Sequence, residues 1–439
     1  MHDTRAGLSP ARPPRAGEPG SPDAARSASI ACLALICSLI VAGAPRPAQA
    51  IDWQKWIDPT TAPFIPIPLI DTDPDSGRTF GLMPTWLQTG SNGSIHRIFA
   101  PEVYTNNYFG LGAAVNLYDY PSDDTQWSAY AGIEQRVERE VDINYASGLQ
   151  RLSTWSFTGR LHYYVDGTPR FFGVGNDTTL ADQTNYTSEQ ETLQATPGWN
   201  ITHRLQLAYM LLAQNVDVTP GTIKGVPSIQ RRFGAASSLG DTSMVLNRML
   251  LIYDTRDDVY IPTRGSELIS YAGLASREGI MNPSLYSEAG FDGRTFLPLS
   301  ATTVLALHTA LRYLLEAHHL PFWALSSIGG DRSYIGGDQP LRGFGAGRFS
   351  DLDSFSFTAE LRQQVATINT AGSDIDLQLA PFIEAGRVFR RESTDPISHL
   401  HDVGGLGIRG LARPYIVGYL DIGYGSEGMA VFTGINYPF

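Results

Sequence analysis

The chain of 439 residues has only two cysteines, Cys32 and Cys37, and both lie inside one apolar stretch near its start. Past residue 50 there is no thiol, which excludes a disulfide framework or a cysteine-ligated metal there. Charge is scarce too: Asp, Glu, Lys and Arg make up 17% of the chain, against roughly 25% in an average soluble protein. Basic groups are the scarcer kind, 32 against 44 acidic ones, which argues against the basic surface that nucleic acid demands. No apolar run after Ala50 approaches the ~20 residues of a membrane-spanning helix. The G-x-S-x-G, H-E-x-x-H and Walker patterns are also missing, so a fused hydrolase or ATPase has no support. The chain is expected not to be an enzyme, and no cofactor is implied.

Two weaker patterns stay on the structural side. Gly405-Leu406-Gly407-Ile408-Arg409-Gly410 spells G-x-G-x-x-G, but it sits among strand-like sequence with no following helix, the context a dinucleotide site needs. Glu316, His318 and His319 are metal-ligand types, yet no spaced partner ligand is visible and a solvated strand end explains them.

At the N-terminus, Arg26 precedes the apolar stretch Ser29 to Ala44, which is followed by Pro45, Pro47 and the small-residue ending Ala48-Gln49-Ala50. That is the pattern of a secretory signal peptide, with cleavage expected after Ala50. Removing residues 1–50, with five Arg and three acidic groups, leaves 27 basic and 41 acidic residues, a net charge of about −14. The expected organisation is a leader and signal peptide over 1–50, a Pro-rich N-terminal arm over 51–78, and one β-domain over 79–439. Five prolines between Ile51 and Arg78 are too many for an interior strand, hence the arm.

What the sequence has in quantity is glycine (44), tyrosine (20) and phenylalanine (19), with alternation of period two. Phe355, Phe357, Ala359 and Leu361 form one face, and Ser356, Thr358, Glu360 and Arg362 the other. Leu377, Leu379 and Ile383 oppose Gln378 and Glu384; Leu305, Leu307, Leu311 and Tyr313 oppose His308 and Arg312. Less regular strands are expected at Phe109–Tyr118, Gln126–Val137, Trp155–Val165, Thr192–Ile201, Arg204–Leu212, Met244–Tyr253, Glu267–Leu274 and Tyr286–Phe296. A soluble sandwich and a membrane barrel share this pattern locally. If the chain is in a membrane, a closed barrel is the remaining option, because lipid offers the backbone no hydrogen-bond partners. About sixteen strands of ten or so residues would fill the length.

The chain's last residues tip that choice. Phe439, Tyr437, Ile435 and Val431 share one parity, with Gly434 between them. This resembles the C-terminal signal read by the outer-membrane assembly machinery of Gram-negative bacteria. It departs from that signal at Phe432, where a polar residue is usual.

Longer motifs carry a family resemblance. Gly336-Gly337-Asp338-Gln339-Pro340-Leu341-Arg342-Gly343-Phe344-Gly345 resembles the R-G-F loop tip of the BamA/TamA assembly superfamily, the bacterial surface-antigen barrels. Phe382-Ile383-Glu384-Ala385-Gly386 resembles the family's F-x-D-x-G motif, with Glu for Asp. Tyr253-Asp254-Thr255-Arg256-Asp257 with Pro262-Thr263-Arg264-Gly265 resembles a family hairpin, and Gly404 to Tyr424 its closing strands. Arg170-Phe171-Phe172-Gly173-Val174-Gly175-Asn176 is the best upstream match.

The resemblance implies a transmembrane antiparallel barrel whose long loop folds into the lumen. Arg342, Gly343 and Phe344 would form the tip, with Glu384, flanked by Phe382 and Gly386, as its partner. On its own, Arg342 also fits an ordinary surface loop; Glu384 on a polar strand face favours the lumen. The implied role is insertion or translocation of client proteins, or movement of lipid. A passive or gated pore, or a structural surface barrel, is the alternative. Implied partners are outer-membrane lipid, the assembly machinery during insertion, and client proteins. The stretch Ile51 to Phe80 is too short for a periplasmic POTRA domain, so a short member is expected.

Overall fold

The computed structural model describes residues 64–72, 74–89, 95–234, 239–277, 285–317, 320–370, 373–390, 397–412 and 416–439. The expected signal peptide, the arm before residue 64, and His318 and His319 lie outside them.

Twenty-one strands follow in order. They are β1 (Phe64–Asp71), β2 (Thr79–Thr89), β3 (Ile95–Asn106), β4 (Gly110–Ser122), β5 (Thr125–Glu134), β6 (Arg139–Ser147) and β7 (Trp155–Asp166). Then come β8 (Arg170–Phe171), β9 (Thr184–Asn200), β10 (Leu205–Pro220), β11 (Gly240–Asp254), β12 (Gly265–Ser276), β13 (Tyr286–Ser300) and β14 (Thr303–Leu315). The last are β15 (Ser326–Ile328), β16 (Phe349–Asp351), β17 (Asp353–Thr370), β18 (Ser373–Phe389), β19 (His401–Ala412), β20 (Ile416–Gly425) and β21 (Gly428–Ile435). All but the short β8, β15 and β16 join one nearly closed antiparallel barrel of 18 strands, somewhat more than the sixteen expected.

Side-chain parity gives the barrel two faces. Outward residues include Leu111, Ile133, Ile143, Leu251, Ile383, Leu406 and Ile408, all exposed. Inward residues are charged or polar: Glu288, Asp292, His308, Arg312, Glu360, Arg362 and Arg409 are buried. A lipid-facing wall needs this arrangement. Exposed aromatics mark both rims: Trp155, Trp199 and Tyr253 where the chain enters and leaves, Phe80 and Tyr424 at the opposite end, which carries the long loop.

Part of the expected arm is a barrel strand. Residues 64–71 pair with β2 from Phe64↔Trp86 to Asp71↔Thr79. Proline is tolerated there because β1 is an edge: no ladder joins β21 back to β1 among the described residues. A backbone hydrogen bond from Thr72 N–H to Val431 O, 3.2 Å, spans that seam. Pro66 and Pro68 have the parity of Thr72, so the positions at which β1 would donate to β21 are the ones without an N–H.

Candidate functional site

The segment between β14 and β17 runs back into the barrel. Its arms pair as the β15–β16 hairpin, and Gly329 N–H, Leu341 N–H and Gly330 N–H bond to Gln339 O, Gly330 O and Phe344 O. Arg248, held by Glu288 on β13 at 2.6 Å, donates to Ile335 O at 2.6 Å. Arg348 clamps the far side through Glu427 (2.6 Å) and lies 4.0 Å over the Phe172 ring.

At the tip, Arg342 has no exposed surface. Its backbone N–H donates to Glu384 Oε2 at 2.5 Å and its Nε to Glu384 Oε1 at 2.8 Å. Its Nη1 donates to Glu360 Oε2 at 3.0 Å and Asp421 Oδ2 at 2.7 Å. The guanidinium lies 3.6 Å from the centre of the Phe382 ring. Burial alone would disfavour the charged form of Arg342, but Glu384, Asp421 and Glu360 overcome it and raise its pKa well above the ordinary value.

The tip belongs to a larger network. Arg409 on β19 donates to Glu360 at 2.9 Å and to Asp421, and Arg362 on β17 donates from Nε to Glu360 Oε1 at 2.9 Å. Arg342, Arg362 and Arg409 thus face Glu360, Glu384 and Asp421, and all six are buried. Burying so many charges is tolerable only because each has an opposite charge and hydrogen bonds. Arg342 and Glu384 were singled out in the sequence; Glu360, Asp421 and Arg409 were not assigned as partners. The available signal was charge of both signs at inward parity on β17, β19 and β20.

Glycine makes the room. A Cβ on Gly343 would come 2.6 Å from Gly425 N and 2.8 Å from Val403 Cγ2. Close approach to β20, rather than a tight turn, is therefore what Gly343 supplies. A Cβ on Gly423 would collide with the Arg342 carbonyl, and one on Gly405 with the Phe382 ring. Gly386 lets the loop's Ile328 sit against β18, with Cδ1 3.3 Å from where a Cβ would lie. Phe344 is buried edge-on to Phe349, 5.3 Å between ring centres, in a cluster with Leu341, Phe382 and Val403.

The parity that Tyr437 and Phe439 share with Val431 and Ile435 predicts a lipid-facing position on the last strand, but the chain's final residues leave that phase. β21 ends at Ile435, Asn436 adopts φ 77°, and its N–H bonds to Val417 O at 2.7 Å. That turn sends Tyr437 and Phe439 into the lumen instead of onto the lipid face. Phe439 stacks on His308 at 5.1 Å, and Arg362 lies 3.6 Å from the centre of the Tyr437 ring. Gly434 faces inward, where a Cβ would press on Arg332 and Tyr419 (each 2.6 Å), and Arg332 donates to Ile435 O at 3.2 Å. Phe432, the departure noted in the sequence, also points inward and packs with Tyr419 and Ala430.

Glu140, Asp142 and His162 present ligand atoms within 4.8 Å of one another. Arg160 already grips Asp142 with two hydrogen bonds, and His162 contacts Glu140 at 2.8 Å. Loop, network and tail leave a cavity of about 1190 Å³ along the lumen side of β5 to β11.

Among solved structures, BamA from Haemophilus ducreyi lacking POTRA domains 1-3 is similar at 12% identity, covering 87% of this chain and 76% of that one, with a TM-score of 0.48. CdiB from Escherichia coli is similar at 9% identity, covering 85% of this chain and 62% of that one, with a TM-score of 0.45. CdiB from Acinetobacter baumannii is similar at 11% identity, covering 86% and 60%, with a TM-score of 0.43. No curated protein matches the sequence. The pattern of the Omp85 superfamily domain matches residues 105–410, more than half of the chain. The chain therefore belongs to the Omp85 superfamily.

Proposed function

We propose that this barrel works in the outer membrane by parting β1 from β21 and offering the freed β1 edge to an incoming client strand, as an insertase or translocator does. The observation that carries this reading is the seam. Every other neighbouring pair of barrel strands is joined by a ladder, whereas prolines at 66 and 68 leave β1 short of donors toward β21. The carbonyls of β1 that face the seam can accept from the N–H groups of another strand, while the prolines keep that pairing weaker, and so more reversible, than a full ladder. Among the described residues the backbone bond from Thr72 N–H to Val431 O crosses the seam outside any ladder, so opening costs less there than in the rest of the wall.

The test uses the absence of cysteine past residue 50. A disulfide between Ile70→Cys and Thr433→Cys, each two residues from the Thr72–Val431 bond, should lock the seam. Oxidised barrels in liposomes should lose insertion or translocation of an unfolded outer-membrane client, and reductant should restore it. Undiminished client transfer through a fully oxidised seam would refute the reading. Steady large conductance in a planar bilayer, unaffected by the lock, would support the pore reading instead.

A further inference from the structure

The slot that holds the chain's final aromatics is more specific than a space a tail happens to fill. Its walls are Phe296 on β13, Ala306 and His308 on β14, and Arg362 on β17, all buried. Asp292 holds the His308 ring at 2.9 Å, and the ring lies 15° from parallel with Phe439. Arg362 is fixed through Nε by Glu360, and its guanidinium carbon faces three rings: Tyr437 at 3.6 Å, Phe439 at 5.3 Å and Phe296 at 5.4 Å. Both Nη atoms of Arg362 are buried without a hydrogen-bond partner, as is His308 Nδ1. A buried guanidinium that meets ring faces instead of acceptors is arranged for aromatic side chains, whose π faces attract cations.

Two further observations make the occupant exchangeable. Beyond β21 the tail leaves the ladder and is held through Asn436 N–H to Val417 O at 2.7 Å and Tyr437 Oη to Gln378 Oε1 at 3.1 Å. Beside it, at the end where the chain enters and leaves, lies an open space of about 480 Å³. Tyr118, Tyr120, Trp127 and Tyr260 line it together with Tyr437 and Phe439.

We propose that this slot is a receptor for an extended peptide with aromatic residues two apart, occupied here in cis by Tyr437 and Phe439 and able to take an equivalent aromatic-x-aromatic segment from another polypeptide. The partner is defined by that spacing: one ring between His308 and Arg362, the other on the outer face of the guanidinium. The adjoining aromatic vestibule is its route in. The proposal goes beyond the seam reading and does not depend on it, since the slot lies on β13, β14 and β17, away from β1.

A fluorescent peptide of residues 428–439 tests this by anisotropy on refolded barrels in detergent, with a heat-modifiable band as the check on folding. A tethered tail competes at an effective concentration of order millimolar, so wild-type barrels should bind micromolar peptide weakly. The Tyr437→Ala/Phe439→Ala barrel should bind it at least tenfold more tightly. Adding Phe296→Ala or His308→Ala to that variant should abolish the gain, and a peptide with Ser in place of its Tyr and Phe should not bind. The proposal is overturned if the emptied barrel binds no better than wild type, if the Ser peptide binds equally, or if binding survives both slot substitutions. Binding that survives them but is lost in the Ile70–Thr433 lock would place the peptide at the seam, against this proposal and in favour of the seam reading.

Discussion

Removing Arg342 and removing the charge of Glu384 should have unequal effects, although the two residues touch. Arg342 donates four hydrogen bonds to three carboxylates. In Arg342→Ala the three side-chain bonds vanish, and Glu360, Glu384 and Asp421 are left facing only Arg362 and Arg409. Uncompensated buried charge of this kind costs about 3–5 kcal/mol. Glu384→Gln keeps the volume and an acceptor for the Arg342 N–H or Nε, and Arg342 keeps Glu360 and Asp421. The loss is the charge-assisted part of those bonds, about 1–2 kcal/mol. At tenfold per roughly 1.4 kcal/mol, the undocked loop should become about a hundredfold or more commoner in Arg342→Ala and about tenfold commoner in Glu384→Gln. The double variant should be no worse than Arg342→Ala, because both changes act through one contact. Limited proteolysis within residues 316–352 of refolded barrels reads these populations when opening is fast relative to cleavage. Additive effects, or a larger effect from Glu384→Gln, would refute the network as drawn.

Further predictions concern the glycine bed and two turns. Gly423→Ala should loosen the loop by about 1–3 kcal/mol through overpacking while the barrel still folds. Gly404→Ala, whose Cβ would meet nothing within 4 Å, should leave loop proteolysis unchanged; equal effects would sink the bed. Glu138, between β5 and β6, accepts from Gly167 N–H at 2.7 Å, and burial, then the neighbouring Asp166, push its carboxyl above the usual range. A raised folded pKa means the folded state holds the proton more tightly, so stability falls as pH rises from the ordinary carboxylate value toward the raised one. Glu138→Gln should therefore match wild type in thermal unfolding near pH 4 and exceed it near pH 8; parallel pH profiles would refute this. Asp257 accepts from Thr263 N–H at 2.9 Å and Arg264 N–H at 3.1 Å in the β11–β12 turn. Asp257→Ala should cost roughly 1 kcal/mol, seen as faster amide exchange confined to residues 255–264.

The strands that could be read from sequence are those crossing the membrane with an unbroken phase. β17 is the clearest, because Phe355, Phe357 and Leu361 meet lipid while Thr358, Glu360 and Arg362 meet the lumen. β6 escaped notice for a local reason: its turn with β5 contains no glycine, proline, asparagine or aspartate, and Val137 takes φ 64°, which a β-branched residue rarely adopts. β10 extends past the expected Leu212 to Pro220 because its phase inverts there. Asn215 and Asp217 point outward, while Val216 and Val218 are buried against Phe171 and Phe322. β1 was hidden by its prolines, which mark an edge that only the closed sheet defines. Arg342 and Glu384 were legible through their motifs. Glu360, Asp421 and Arg409 were not, because only the stacking of β17, β19 and β20 brings them to one point. Tyr437 and Phe439 kept the right parity, but the turn at Asn436 moved them to the other side of the wall.

The charge network also bears on the order in which the molecule assembles. The partners of Arg342 lie 18, 42 and 79 residues further along the chain, all on strands made after the loop. Asp421 arrives on β20, the last strand but one. A growing sheet that stops at β19 has Arg342, Arg362 and Arg409 but only Glu360 and Glu384 to set against them, so the loop tip carries excess positive charge and stays hydrated. Contacts of such long range form late, since their loop-closure entropy must be met first. Docking of the loop and completion of the wall are thus a single late event, and the polarity of the lumen is settled only when the C-terminal hairpin is in place.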